Sequence, residues 1–478
     1  MSHTVEKIGG RSIADTETVL KSVLLADRVG PAVYGRIFVV SAYDGMTDRL
    51  LEHKKTGEPG VYALFAKGGE VGAWEKALAD LASAMREKNR EIFGAGEDLV
   101  IADHFVRERV ERVRSCLCDL QRLCASGPFV LEQQLATVRE MLAGLGEAHA
   151  AHNTALLLRG KGVNARAVDL TGWSDEEEVS LDARIQRTFA TMDIARVLPV
   201  VTGYVRCAEG MAKTYERGYT EVTFSRIAAI TGAREAIIHK EFHLSSADPK
   251  LVGRERVRKI GCTNYDVADQ LSNMGMEAVH PKAAKRLRQA GIPLLVKNTF
   301  DTRDEGTVVE AGFVSAKPMA EIVTGLPRAF ALDLFEQDMV GVKGYDADVL
   351  QALTRHNIRI VSKCSNANTI THYVDCQLSA LEQAAADLRL AYESAEVTVR
   401  SVAIVSVIGS DLKMSGLVAS AASALDSVGV RLLGVTQLMR QVDLQLVVEP
   451  EQFDAAVKAL HAQLVESGGG TGALRSAA

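Results

Sequence analysis

The order of apolar and polar positions predicts two kinds of element over the first two thirds of the chain. Short apolar runs bounded by glycine, proline or polar residues predict buried strands at residues 3–8, 37–40, 165–169, 198–205, 236–239 and 293–297. Segments with apolar residues three and four positions apart predict helices between them, the first over residues 14–29. Strands that alternate with helices are typical of a mostly parallel sheet covered by helices. We therefore predict an α/β domain over residues 1–326.

One stretch of this domain has a different pattern. Residues 60–145 are rich in Ala, Leu, Glu and Arg and carry long 3.6-residue periods over 72–93 and 99–125. This pattern predicts a helical insertion. Its role is either a packing element, which we favour, or a lid.

The pattern changes again after Pro327 and then repeats. The predicted order is strand 329–335, helix 345–356, strands 358–362 and 369–374 and helix 380–391, followed by strand 401–408, helix 416–428, strands 431–435 and 442–448 and helix 451–464. Two successive βαββα sets of about seventy residues form an internal repeat. We predict one unit over 327–396, a second over 397–466, and a flexible Gly/Ser-rich tail over 467–478.

Composition narrows the classes of partner and compartment. The formal net charge is −6, which argues against nucleic acid or an anionic membrane as the main partner. No basic segment followed by an apolar one opens the chain, and no apolar run approaches the ~20 residues of a membrane span. The seven cysteines form no even, regularly spaced framework, so we expect free thiols. These features predict a cytoplasmic protein.

Two clusters of metal-binding residue types are compatible with either a metal site or plain packing. The first contains Cys116, Cys118 and Cys124. A Cys-x-Cys pair on a helix directs its two sulfurs to different faces, which disfavours a shared metal. In the second cluster, His149 and His152 stand side by side on a helix with Glu147, but no convincing third ligand follows. We predict surface histidines there and no resident metal.

The end of the first predicted strand carries a pattern suited to phosphate chemistry. It reads Lys7-Ile-Gly9-Gly10-Arg-Ser12. Glycines let backbone N–H groups approach phosphate oxygens, and a lysine beside them neutralises a transferring phosphoryl group. By itself the pattern is weak, since two glycines at a strand end most often form only a turn. It is also not the longer P-loop motif.

Further segments make the pattern specific. They are Val39-Val-Ser-Ala42 with Thr47, Gly146-Glu147, Arg217-Gly218-Tyr-Thr220-Glu221, Ser246-Ala-Asp-Pro249, Ala278-Val-His-Pro281, and Asn298-Thr-Phe300 before Gly306-Thr307. In this order and spacing, the set resembles the aspartate kinases of the amino-acid kinase family. The resemblance covers essentially the whole chain, and the terminal repeat resembles a pair of ACT domains.

The resemblance implies the family's fold, reaction and substrate site. The reaction transfers the γ-phosphoryl group of ATP to the side-chain carboxylate of L-aspartate. Lys7 matches the lysine of the family's Lys-Phe-Gly-Gly-Thr-Ser signature and, with Arg217, is the implied catalytic residue. The implied aspartate-binding residues are Ser41, Thr47, Glu147, Arg217, Thr220 and Glu221. The acceptor carboxylate is already ionised at pH 7, so no general base is expected.

The same resemblance implies a nucleotide site and its cofactor. The implied ATP-binding residues are Lys7, Gly9, Gly10, His239, Lys240, Ser245 and Lys250. Mg²⁺ is expected to be held mainly by the nucleotide phosphates rather than by a protein cage.

Several positions depart from the family pattern. Ile8, Arg11, Ala150 and His152 stand where the family has Phe, Thr, Ser and Arg. The family's Thr-Asp pair facing the nucleotide is His239-Lys240, and an expected lysine is Glu277. One acid has become a base and one base an acid, which we interpret as a compensated charge swap. These changes resemble the divergent aspartate kinases associated with ectoine synthesis.

The resemblance also implies regulation and assembly through the terminal repeat. The segment 365–371 resembles the ACT segment that binds an amino-acid effector, with Asn366 and Asn368 as the favoured side chains. The matching segment 436–443 lacks the usual pattern. A role of both units mainly in a homodimer or larger homo-oligomer interface is equally compatible with the sequence.

Two rival functions remain beside aspartate kinase. One is a related kinase that acts on another acidic amino acid. The other is a non-catalytic amino-acid sensor in which the altered nucleotide residues mark lost activity. The retained phosphoryl-stabilising Lys7 argues against the sensor.

Overall fold

The computed structural model describes residues 2–54, 56–68, 72–125, 129–173, 177–215, 218–276, 279–301 and 303–467. It divides into two compact units, Met1–His243 with His280–Ala311 and Leu244–Val279 with Gly312–Ala478. Arg217, Glu277 and all of the predicted tail except Ser467 lie outside the described residues.

The strands are β1 (Thr4–Ile8), β2 (Arg36–Val40), β3 (Ala165–Val168), β4 (Leu198–Thr202), β5 (Glu235–Lys240), β6 (Cys262–Thr263), β7 (Leu294–Asn298), β8 (Thr307–Val309), β9 (Ile322–Phe335), β10 (Arg359–Ser365), β11 (Thr369–Asp375), β12 (Glu396–Ile408), β13 (Leu432–Gln437) and β14 (Asp443–Val448). The α-helices are α1 (Gly10–Ala14), α2 (Thr16–Val19), α3 (Met46–Leu50), α4 (Val61–Lys67), α5 (Ala73–Phe93), α6 (Glu97–Ala125), α7 (Glu132–Ala143), α8 (Leu145–Gly160), α9 (Leu181–Phe189), α10 (Met211–Tyr215), α11 (Tyr219–Thr231), α12 (Pro249–Val252), α13 (Tyr265–Asn273), α14 (Pro281–Ala290), α15 (Tyr345–Arg355), α16 (Leu378–Ala391), α17 (Leu417–Asp426) and α18 (Phe453–Leu460). Short 3₁₀ or π segments cover Leu20–Leu25, Gly30–Val33, Gln337–Met339, Pro450–Gln452 and His461–Glu466.

A mostly parallel sheet forms the centre of the first unit. Its strand order is β3-β4-β2-β1-β5-β7-β8, and β8 alone in this series runs antiparallel to its neighbour. Every residue of β1 is buried, as expected for an inner strand covered on both faces. The predicted α/β fold with a mostly parallel sheet is confirmed, while residues 244–279 and 312–326 of the predicted domain belong to the second unit. Because parallel strands end at the same edge, the carboxyl ends of β1, β2 and β5 meet there.

The predicted helical insertion is confirmed as α4 to α7. The apolar stripe of α5 is buried at Leu78, Leu81 and Met85, and α6 buries Val106 and Val113. This packed face supports the packing role favoured from the sequence. Among the described residues, no helix is both long enough and apolar enough to cross a membrane.

The two predicted βαββα units share one antiparallel sheet in the second unit. The strand order is β10-β11-β9-β12-β14-β13, with β9 and β12 paired at the centre. The first strand begins at Ile322 and runs through Pro327, so the predicted start at residue 329 was wrong. The β9–β12 register shifts at this proline, which marks a β-bulge. A residue in a bulge is not paired in the ladder, so the missing N–H of the proline costs no hydrogen bond there.

All seven cysteines lie in the described part of the chain and are free thiols. On α6, Cys116 is exposed, while Cys118 and Cys124 are half-buried. The expectation of unpaired cysteines is confirmed.

Candidate active site

Lys7 lies at the centre of a buried ionic cluster at the carboxyl edge of the parallel sheet. Its ammonium nitrogen is 3.2 Å from Oε1 of Glu221, which stands in the first turn of α11. The ammonium of Lys240, at the end of β5, lies 3.7 Å from the same oxygen. The other oxygen, Oε2, accepts a hydrogen bond of 2.5 Å from the backbone N–H of His280. Elements far apart in sequence therefore converge on one carboxylate.

The charge state of Glu221 follows from these neighbours. Burial alone would raise its pKa, but the ammonium groups of Lys7 and Lys240 lower the pKa to about 2. The carboxylate is therefore ionised at neutral pH. The ammonium groups of Lys7 and Lys240 bring positive charge to this edge of the sheet, which suits the oxygens of a transferring phosphoryl group.

Glu147 is the second buried carboxyl group, and its environment has the opposite effect. Its Oε1 accepts a 2.6 Å hydrogen bond from the hydroxyl of Thr220, while Oε2 is buried without a hydrogen-bond partner among the described residues. Burial raises its pKa to about 8, although the hydrogen bonds from Thr220 and from the backbone N–H of Tyr204 and the charge of Lys7 act against this. An unsatisfied buried carboxylate oxygen is suited to receiving a cation.

The glycine turn after β1 brings the backbone close to the loop after β2. A Cβ atom on Gly10 would lie 2.5 Å from the carbonyl oxygen of Ala42, so only glycine fits at this contact. At Gly9, a Cβ would meet the Lys7 ammonium nitrogen at 3.7 Å. The glycines predicted to approach phosphate thus lie directly beside the predicted phosphoryl-stabilising lysine.

Residues absent from the predicted site hold this turn in place. The hydroxyl of Ser12 donates a 2.8 Å hydrogen bond to Oε1 of Glu241 and accepts one of 3.1 Å from the hydroxyl of Thr299. Ser12 belongs to the opening signature, so its importance was detectable from the sequence. Thr299 belongs to the resembling segment 298–300, but its contact with Ser12, like that of Glu241, is made only because the ends of β5 and β7 lie side by side.

The two hydroxyls predicted for the substrate lie at the same edge of the sheet. Ser41 follows β2 and donates its backbone N–H to the carbonyl of Ile8 at 3.2 Å. Thr47 stands in the first turn of α3. Both residues are half-buried. A hydroxyl group at each position is therefore available near the carboxyl end of β1.

His239 occupies a different environment from its neighbour Lys240. Successive strand residues face opposite sides of a sheet, and the ring nitrogen Nε2 of His239 lies 2.8 Å from Oε2 of Glu6. Glu6 also accepts two hydrogen bonds from Arg36, at 2.7 and 3.1 Å. Burial opposes ionisation of Glu6, but Arg36 and His239 hold its pKa well below the ordinary value. This network accounts for His239 without a nucleotide, and its role in ATP binding stays a prediction.

Three other predicted residues are placed in less detail. Ser245 and Lys250 belong to the second unit, where the Ser245 hydroxyl donates to the carbonyl of Ala247 and Lys250 is exposed on α12. Arg217 lies outside the described residues. The residue after it, Gly218, has no room for a side chain, because a Cβ would lie 2.3 Å from Cδ2 of His280.

The candidate effector residues lie in the turn between β10 and β11. The side-chain oxygen of Asn366 accepts hydrogen bonds from the backbone N–H groups of Asn368 and Thr369, at 3.1 and 3.0 Å. Oδ1 of Asn368 accepts a 3.2 Å hydrogen bond from the hydroxyl of Thr369. These contacts shape the turn, and effector binding by either side chain stays a prediction.

The histidines beside Glu147 are packing residues, but the predicted surface position was wrong for His149. This residue is fully buried, and its Nε2 lies 2.7 Å from the side-chain oxygen of Asn89 on α5. The ring of His152 stacks on Phe105 of α6 at 4.3 Å. Burial lowers the pKa of His149 to about 3 and that of His152 to about 4. The insertion helices cover α8, which the helical period of α8 alone does not reveal.

The chain is similar to a family model and to known proteins over most of its length. The model of the amino acid kinase family matches residues 3–298. Aspartate kinase Ask_Ect from Stutzerimonas stutzeri (strain A1501) is 50% identical over 97% of this chain and 98% of its own length. The chloroplastic aspartokinase 3 of Arabidopsis thaliana is 23% identical over 97% of this chain and 82% of its own.

Solved structures share the fold. The crystal structure of Escherichia coli aspartokinase III in complex with aspartate and ADP has a TM-score of 0.71 and 20% identity, covering 97% of this chain and 100% of that one. An aspartate kinase from Clostridium acetobutylicum has a TM-score of 0.70 and 18% identity, with coverage of 96% and 100%. The predicted combination of a kinase fold with ACT-like units is confirmed.

Proposed function

This chain belongs to the aspartate kinases of the amino acid kinase family, and we propose that its reaction takes place in the cluster of Lys7, Glu147, Glu221 and Lys240. An aspartate kinase converts ATP and L-aspartate to ADP and 4-phospho-L-aspartate. The observation that carries the proposed site is the pair of lysine ammonium groups on one buried carboxylate, beside a second buried carboxyl group with an unpartnered oxygen.

The lysines act on the phosphoryl group. The ammonium of Lys7 neutralises charge on the γ-phosphoryl oxygens as the bond to the leaving ADP breaks and the bond to the aspartate carboxylate forms. Glu221 orients Lys7 through their ion pair. Lys240 stands where the family has an acid, and it supplies a second positive charge to the nucleotide. Gly9 and Gly10 bring backbone N–H groups to the phosphates.

The carboxyl groups and Arg217 act on the amino acid. Ionised Glu147 binds the α-ammonium group, since its Oε2 is buried without a side-chain hydrogen-bond partner among the described residues. Arg217 offers a guanidinium fork to a substrate carboxylate, while Ser41, Thr47 and Thr220 supply hydroxyl groups. No side chain needs to remove a proton, because the acceptor carboxylate is ionised at neutral pH.

Mg²⁺ fits this site as a companion of the nucleotide. Within the described residues, no group of three or more His, Cys, Asp or Glu side chains is arranged to hold a metal ion. We propose that the ATP phosphates supply most of its ligands and that the ion neutralises their charge.

Four finer assignments extend the proposal. Similarity to Ask_Ect supports membership of the branch associated with ectoine synthesis. The ACT-like units support an amino-acid effector, and E. coli aspartokinase III has been crystallised with lysine. We also propose assembly through the ACT-like units and a cytoplasmic location.

The test measures ADP release from Mg-ATP with L-aspartate, L-glutamate or no acceptor, and traps any acyl phosphate with hydroxylamine. Aspartate-dependent ADP release with a trapped hydroxamate is the expected result. Turnover with glutamate alone would indicate a different kinase. If folded protein shows no turnover with any acceptor and no ATP-dependent thermal shift, the chain is a non-catalytic sensor.

The site is tested by two variants in the same assay. Arg217→Ala is expected to raise the KM for aspartate and to leave the KM for ATP close to that of the wild type. Arg206→Ala, which removes another arginine, one that donates to the carbonyl of Gly172, is the matched control. Equal KM values in both variants would remove Arg217 from the substrate site.

A further inference from the structure

A cavity lies on the face of the parallel sheet opposite Lys7. Its volume is about 320 Å³, and it lies beside β1, β2, β5 and β7 in the first unit. Glu6 of β1 lines it, whereas the next residue, Lys7, points to the other face and meets Glu221. The cavity is therefore separate from the proposed catalytic cluster.

Positive charge predominates around this cavity. Its lining contains the cationic side chains of Arg28, Arg36, Arg234 and Lys297 and the carboxyl groups of Glu6 and Glu235. Glu6 is neutralised by the two hydrogen bonds from Arg36 and by its contact with His239. The remaining lining charges are three cations and one carboxylate, so the cavity attracts anions.

Of the three remaining cations, Arg28 and Arg234 are exposed and Lys297 is half-buried. Among the described residues, no carboxylate pairs with the side chain of Arg28, Arg234 or Lys297. Partial burial and the guanidinium group of Arg36 lower the pKa of Arg28, with a smaller effect from Arg234, although the carboxylate of Glu6 acts against them. An anion between them would replace this repulsion with attraction.

The backbone before Arg28 is strained. Ala26 and Asp27 have φ angles of 47° and 59°, in the left-handed region that side chains disfavour. Strained backbone of this kind persists only where contacts with the surrounding structure hold it in place. Here the strained turn leads directly to Arg28 at the cavity.

We propose that this cavity binds a small dianionic molecule, carrying either a phosphate group or two carboxylates, between Arg28 and Arg234. A guanidinium group presents two parallel N–H donors that match both kinds of anion. The volume is at the lower end of the range for small-molecule sites, and it exceeds the size of a single phosphate ion. Lys297 adds a third cation from β7.

The test is calorimetric titration with two probes, inorganic phosphate and succinate. The catalytic cluster is first saturated with L-aspartate and a magnesium complex of a non-hydrolysable ATP analogue, so that neither probe binds there. We expect at least one probe to bind saturably to the wild type. Phosphate binding alone would indicate a phosphate-bearing ligand, and succinate binding alone a dicarboxylate.

Variants locate the site. Arg28→Gln and Arg234→Gln are each expected to weaken binding about tenfold or more, the effect of removing one charged hydrogen-bond donor. Arg90→Gln, an exposed arginine on α5, is expected to leave binding unchanged. Glu235→Gln is expected to tighten binding, because it removes the uncompensated carboxylate, and a purely structural arginine cluster would not produce this gain.

Absence of saturable binding by both probes would overturn the proposal, as would equal affinities in the wild type and the Arg28 and Arg234 variants. Folding is checked separately through the melting temperature and the aspartate-dependent release of ADP, neither of which requires this cavity. If the arginine variants fail to fold, the titration of the Glu235→Gln variant tests the proposal instead. An affinity for phosphate and succinate equal to that of the wild type would then refute the site.

Discussion

Lys7 and Glu221 form an ion pair of 3.2 Å in which each side chain is only 11% exposed. They are 214 residues apart in sequence, and one stands on an inner strand while the other begins a helix. A buried pair of this kind is weak evidence for stability, since the cost of desolvation offsets much of the attraction. Its position at the carboxyl edge of the sheet supports a role in positioning Lys7.

Replacing Lys7 should therefore affect the chemical step most. Lys7→Met is expected to lower kcat by about two to three orders of magnitude, the usual effect of losing one transition-state donor, with little change in the KM for aspartate. Lys21→Met, at an exposed ion pair with Glu17, is the control. A wild-type kcat in Lys7→Met, measured by ADP release, would exclude the assigned role.

Lys240 should act on the nucleotide. Lys240→Ala is expected to raise the KM for ATP about tenfold, because it removes one charged contact to the phosphates, while the KM for aspartate changes little. Lys285→Ala, an exposed lysine on α14, should match the wild type. If only the aspartate KM rises, Lys240 belongs to the amino-acid side of the site.

The protonation of Glu147 predicts a pH dependence of stability. Its folded pKa of about 8 lies above the ordinary value of 4.5, so the folded state holds a proton that the unfolded state has released. The stabilising contribution is complete below pH 4.5 and is lost as pH rises towards 8. Relative to Glu147→Gln, which cannot ionise, the wild type should lose melting temperature between about pH 5 and pH 8.5. A pH-independent difference would contradict the assigned state.

The same group should couple aspartate binding to pH. An ammonium ligand requires the ionised carboxylate, so the affinity for aspartate should rise as pH increases through about 8. Titration calorimetry in two buffers of different ionisation enthalpy would detect the proton released on binding. Glu147→Gln should bind aspartate weakly at every pH. Unchanged affinity in this variant would separate Glu147 from the ammonium group.

The close contact at Gly10 should make this position intolerant of any side chain. Gly10→Ala places a Cβ 2.5 Å from the Ala42 carbonyl oxygen and is expected to lower the free energy of unfolding by about 1–3 kcal/mol. Gly9→Ala is the matched control for stability, since its nearest neighbour would be at an ordinary 3.6 Å. Equal melting temperatures for the two variants would contradict this packing.

A buried hydrogen-bond chain in the second unit supports a further stability prediction. Oγ of Ser246 lies 2.8 Å from Nε2 of His461, and Nδ1 of that ring lies 2.8 Å from Oε1 of Glu466. Ser246 and His461 are completely buried. His461→Ala should lower the free energy of unfolding by about 2–3 kcal/mol, because it leaves buried polar groups unpaired. The exposed His104→Ala should have almost no effect in the same denaturation experiment.

Sequence patterns were sufficient to predict the architecture and the residues of the site that follow the first strand. Period-two and period-3.6 patterns report which face of an element is buried, so they predicted the parallel sheet, the insertion and both βαββα units. The path of β9 through Pro327 was missed, because a proline normally argues against an inner strand and the bulge that accommodates it, with Pro327 and Arg328 opposite Ala403, is visible only in the strand pairing. Lys7, Gly9 and Gly10 were found because their chemistry is local to one strand end.

Only the tertiary structure decided which distant charges meet. The sequence presents His239 and Lys240 as one altered pair, yet strand alternation directs His239 to Glu6 and brings Lys240 to Glu221. Likewise, no local pattern connects Ser12 with Glu241 and Thr299. What a charged or hydroxyl group can do depends on how deeply it is buried and on how far it lies from its partners, which can be hundreds of residues away in sequence. Those quantities are set by strand order and register, which the linear pattern of hydrophobicity does not encode.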